Sequence, residues 1–115
     1  MHEKNAAADA DLDAALRAIE EAYVAALPGR LQDIGSNLNR CRAERQTAHF
    51  DALLLQLHSL AGSAGTFGFA ELGMRATDLE IRLGAARKDA AAGAALDEVL
   101  HDVEAFLQWA AAAVR

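Results

Sequence analysis

Cysteine occurs once in this chain, at position 41, which excludes an intramolecular disulfide and any thiolate metal cluster. Proline also occurs once, at position 28, so only that point resists a long helix. Valine, isoleucine and threonine are sparse beside alanine and leucine, a balance that favours helices over strands. No apolar run is long enough to span a bilayer, and no signal peptide is read at the start. A cytoplasmic protein without a membrane segment is therefore expected. Acidic residues outnumber basic ones by 17 to 11, and the net charge is −6 with histidine neutral. That balance opposes binding to a phosphate backbone, so no nucleic-acid partner is expected. The four histidines show no HxxxH or HExxH spacing, and neither a metal nor a cofactor is expected. A nucleotide-binding glycine loop and a magnesium-binding acid cluster are also missing, which argues against a kinase that phosphorylates itself.

What the chain does contain is apolar residues at helical spacing. With 115 residues, 53% of them hydrophobic, it can form one domain around one core. Residues 1–10 show no stripe and are expected to be frayed, with the bundle over 11–115. Asp11 or Asp13 is a candidate cap for the first helix, whose face reads Leu12, Leu16, Ile19, Tyr23 and Leu27. A kink or short break is expected at residues 26–29 because of Pro28. The stripe then resumes through Leu31, Ile34, Leu38 and Cys41, where the thiol reads as a small buried hydrophobe. Thr47 is a candidate cap for the next helix, and His49 and His101 fall off the stripes and read as surface groups. Phe69, Leu72, Ala76, Leu79, Leu83 and Ala86 mark another helix. Leu96, Val99, Val103, Phe106, Ala110 and Ala113 mark the last. Turns at residues 44–47, 65–69 and 89–93 are short enough to force antiparallel neighbours. The expectation is an all-α, up-and-down four-helix bundle with an additional or kinked N-terminal helix.

The most informative stretch runs from Leu57 to Phe69. Phe50, Leu53, Leu57, Leu60 and Ala64 form the core stripe of its helix, and His58 lies roughly 120° from the stripe's centre. On that shoulder a ring can be held by neighbours and still meet solvent. Gly62 stands one turn further on and Gly65 nearly two. An interior glycine costs a helix about 1 kcal/mol relative to alanine, so two of them beside one histidine imply that something must approach it closely.

The run His58-Ser59-Leu60-Ala61-Gly62-Ser63-Ala64-Gly65-Thr66-Phe67-Gly68-Phe69 resembles the signature of histidine-containing phosphotransfer (HPt) domains, the carriers of bacterial phosphorelays. A weaker helical pattern extends the resemblance from about residue 14 to the C-terminus. It implies a phosphoryl group accepted on His58 from a receiver-domain aspartate, or from a kinase, and passed to the aspartate of another response regulator. The implied partners are receiver domains of response regulators or hybrid histidine kinases, met by a monomer with no kinase activity of its own. Many members carry a lysine three residues after the histidine, whereas this chain has Ala61.

Phosphoryl transfer needs a neutral, nucleophilic imidazole that is exposed, fixed in one tautomer and set in a surface where a partner can dock. Folding the chain about residue 68 or 69 places His58 opposite residues 78–80. Glu80 can then accept from Nδ1–H and leave Nε2 as the nucleophile. The resemblance supports this, since some members hold the histidine with Glu or Gln at the corresponding place. The competing reading makes Glu80 a solvated charge paired with a residue such as Arg87. Thr77, one turn earlier, can offer a hydroxyl. Leu54, Leu55, Ala61, Gly62 and Gly65 form a small or apolar strip suited to a docking partner, although Leu54 can instead belong to the core. Without the lysine, Arg75 and Arg82 are the candidate cations, and the receiver is expected to supply most of the charge compensation. The alternative function is a non-catalytic helical module that binds a partner through Leu54 and Leu55.

Overall fold

Alanine and leucine dominate the segments that fold into helices, and stripes spaced three and four residues apart decide which side of each helix is buried. The computed structural model describes residues 2–89 and 93–114, with only the backbone for 2–5. Four helices account for nearly all of them: α1 (His2–Ala43), α2 (Thr47–Ala64), α3 (Ala70–Lys88) and α4 (Gly93–Ala113). No strand occurs among the described residues. Each helix packs against two neighbours: α1 against α2 and α4, and α3 against the same two. The result is the expected four-helix bundle, whose core runs from Leu27, Ile34 and Cys41 of α1 through Leu53, Leu57 and Leu60 of α2 to Leu83 of α3 and Val103 of α4. Burial raises the pKa of the Cys41 thiol above its ordinary value.

Several local expectations give way to α1, which is a single helix of 42 residues. The additional N-terminal helix is its first half, continuous with the second through Pro28. The proline forfeits one hydrogen bond to the Val24 carbonyl, a cost of about 3 kcal/mol in a helix interior. Leu27 and Leu31 on either side of it are buried, and their packing holds the helix in one piece. The segment expected to be frayed is helical from His2, consistent with the high helix propensity of the alanines at 6, 7, 8 and 10. Asp11 and Asp13 are thus interior residues, not caps. Thr47 likewise does not cap α2: it is the first helical residue, and Gln46 takes the cap position without a side-chain hydrogen bond. Of the expected 89–93 turn, residues 90–92 lie outside the described residues.

The corner between α2 and α3 sets how these two helices face each other. Gly68 adopts φ 87°, a left-handed conformation that an L side chain would strain. Phe67 stacks on Tyr23 of α1 with centroids 4.3 Å apart, and Phe69 lies 6.3 Å from the same ring. Both phenylalanines are half-buried, so the corner is clamped against α1.

Candidate functional site

His58 projects from α2 with its side chain 72% exposed, and its Nδ1 lies 2.8 Å from Oε1 of Glu80 on α3. The two residues are 22 apart in sequence and symmetric about Phe69, the last residue before α3. That spacing is the product of a tight corner joining two antiparallel helices. An ionised carboxylate can only accept, so Nδ1 carries a hydrogen, and in the neutral ring the lone pair is then on Nε2. Glu80 is the less exposed partner, at 28%, which limits the directions from which water competes for the bond. Arg87, the alternative partner for Glu80, pairs instead with Asp51.

The spacing of α2 and α3 depends on Gly73. A Cβ there would meet the backbone oxygen of Ala61 at 3.2 Å and the Cβ of Ala64 at 3.5 Å. The two helices approach so closely only because Gly73 has no side chain, and Glu80 sits two turns further along. Sequence reasoning did not single out Gly73, because a buried glycine in mid-helix has no local signature. Its sole signal was its place on the face of α3 that also carries Ala76 and Glu80.

The other expected site residues divide. Gly62 and Gly65 are exposed, and a Cβ at either would meet nothing within 4 Å. Ala61 is half-buried at the α2–α3 contact. Leu55 is 68% exposed, whereas Leu54 is half-buried and packs against the core, so the strip is apolar only in part available. Thr77 is exposed, but its hydroxyl donates to the Gly73 carbonyl at 2.9 Å and makes no hydrogen bond to His58. Ile81, which sequence reasoning passed over, is 66% exposed next to Glu80 and extends the apolar rim onto α3.

Neither candidate cation faces the ring. Arg82 is bonded to Asp102 of α4 at 2.5 Å and lies 3.6 Å from Asp78; the Asp102 hydrogen bond raises its pKa further. Arg75 is paired with Glu71 at 2.9 Å and stacks over Trp109, 4.0 Å from the ring centroid. Both tie α3 to α4, on the side away from α2. Glu98 and His101 stand three residues apart on α4, a spacing that di-iron bundles use in pairs. Among the described residues, however, no three His, Cys, Asp or Glu side chains are grouped so as to hold a metal ion.

A family model described as "Hpt domain" matches residues 18–109. The chain belongs to the Hpt family. Hpt domains are helical bundles that carry phosphoryl groups between histidine and aspartate in two-component phosphorelays, and they work with receiver domains without being kinases. The matched region takes in the exposed histidine, the Glu80 that holds it and the corner that brings them together. It begins where α1 approaches the bundle. Neither a curated protein nor a solved structure matches the chain. No helix among the described residues is long and apolar enough to cross a membrane.

Proposed function

We propose that this Hpt domain carries its phosphoryl group on Nε2 of His58, taking it from an aspartyl phosphate of one receiver domain and delivering it to the aspartate of another. The observation that carries the reading is the 2.8 Å contact between Nδ1 of the exposed His58 and Glu80. In the accepting step the Nε2 lone pair forms an N–P bond while the P–O bond to the aspartate breaks. The bonding electrons leave with the aspartate carboxylate. The ring becomes cationic, and its Nδ1–H stays bonded to the Glu80 carboxylate, which offsets the new charge. Delivery runs the same exchange in reverse, so Glu80 must not take the proton away permanently. Glu80 is a positioning residue, because it acts through the ring.

The exposed surfaces of Gly62 and Gly65 leave room for the receiver, and Leu55 with the accessible parts of Leu54 and Ala61 supplies apolar contact. Thr77 has its hydroxyl committed to the backbone and is assigned no part in the transfer. The chain works as a cytoplasmic monomer and neither hydrolyses ATP nor phosphorylates itself. The alternative, a non-catalytic module binding through Leu54 and Leu55, is less well supported, since only Leu55 of that pair stands free.

Nuclear magnetic resonance of histidine-labelled protein tests the assignment. After treatment with phosphoramidate, phosphorus coupling is expected on Nε2 of His58, with Nδ1 still protonated. Coupling at Nδ1, or phosphorylation only at His49 or His101, would overturn it.

A further inference from the structure

Arg42, Arg45, Arg75, Arg82 and Arg87 each meet a carboxylate. Arg30 of α1 does not: among the described residues no carboxylate lies within ion-pair distance of it, although it is held in place. Its Nη2 donates to Ser59 Oγ and its Nη1 to Ser63 Oγ, each at 3.1 Å. Its Cζ lies 5.6 Å from the centre of the Tyr23 ring, and the Tyr23 hydroxyl is itself 2.8 Å from Ser63 Oγ. All three supports are neutral, and the Asp33 carboxylate that lines the same groove makes no ion pair with the guanidinium.

The position is informative. Ser59 follows His58 directly, which puts the guanidinium on the flank of α2 opposite Glu80. It lines a groove of about 280 Å³ between α1 and α2, with Asp33, Ile34, Leu55, Gln56 and Ser59. One residue along a helix is a rise of about 1.5 Å, well inside the Debye length of about 8 Å at physiological salt. An anion approaching His58 therefore feels Arg30 before it touches the ring. The other flank offers no equivalent, since position 61 is alanine and both Arg75 and Arg82 face α4.

We propose that Arg30 is the residue that steers the phosphorylated receiver onto α2. This rests on His58 being the acceptor. The guanidinium attracts the anionic acyl phosphate of the incoming domain and guides its approach over the α1–α2 groove, with Leu55 as the adjoining apolar contact. Arg30 exchanges no proton and makes no covalent bond. It is a positioning residue whose effect falls on encounter, not on the N–P bond itself. The orienting bonds that Arg30 donates to Ser59 and Ser63 lower the entropy lost when the side chain engages its partner.

The test is transfer to the full chain from a receiver domain charged with radiolabelled acetyl phosphate, measured at low and at high salt. Arg30→Gln is expected to lower kcat/KM about three- to tenfold at low salt, through KM, with the deficit fading at high salt. Arg30→Lys, which keeps the charge, should recover most of the loss, and the lifetime of the phosphohistidine should not change. Two outcomes overturn the proposal alone: Arg30→Gln matching a labelled wild type at low salt, or an equal deficit at both salts that lysine does not relieve, which would indicate packing. A wild-type chain that takes no label overturns the reading of His58, and this proposal with it.

Discussion

Gly62 is the position at which the proposed docking can be told apart from folding. A Cβ there would point into open space one turn from His58, so the residue is not small because its neighbours crowd it. Within α2 it forgoes about 1 kcal/mol of helix stability relative to alanine, and the proposed function gives that sacrifice a use as docking space. Gly62→Gln should therefore fold at least as stably as the natural chain, as judged by thermal melting. Phosphotransfer should nevertheless slow roughly tenfold or more, equivalent to about 1.4 kcal/mol of lost docking free energy. Normal transfer by the folded variant would contradict the steric account. His58 and Gly62 were both legible in the sequence because their meaning is local: each is defined by its angle from the core stripe. Glu80 was legible at one remove, since a corner at Phe69 and antiparallel helices suffice to count out to it. Whether it paired with His58 or with Arg87 was a tertiary question, decided by Asp51 occupying Arg87.

Between elements, the governing contact is that of α2 with α3 at Gly73. The obstacle to a larger residue is the Ala61 backbone oxygen, which cannot rotate aside as a flexible side chain can. Gly73→Ala should force the helices apart, at a cost of about 1–3 kcal/mol typical of overpacked interfaces. The His58–Glu80 bond should lengthen, so both melting temperature and transfer rate are expected to fall. A Gly73→Ala protein with unchanged stability and unchanged transfer would show that the spacing is not set there. This contact was not legible, because helix propensity marks Gly73 only as an unfavourable residue and does not reveal what it faces. The long α1 was missed for a related reason. Pro28 is a local breaker, but the burial of Leu27 and Leu31 decides the outcome. Nothing in the local sequence marks Arg30, and only the packing of α1 on α2 brings it to Ser59 and Ser63.

As a whole, the molecule measures 67 Å along its longest axis and 23 and 22 Å across. The length comes from α1, whose 42 residues reach about 63 Å at 1.5 Å per residue. Leu12, Leu16 and Ile19 lie on its projecting part and are exposed, so the stripe legible in that segment is real in period but not buried. The rest is a bundle that presents the exposed His58, held by Glu80, beside two glycines and an arginine without an ion-pair partner among the described residues. Such an arrangement is suited to carrying a phosphoryl group. The most direct test is a relay assay that begins with a radiolabelled phosphorylated receiver, adds the chain, and then adds a second receiver. Label should appear on the wild-type chain, move on to the second receiver, and be absent from a folded His58→Ala variant, while labelled ATP alone transfers nothing. Label retained by the His58→Ala variant, or a wild-type chain labelled directly by ATP, would contradict the account.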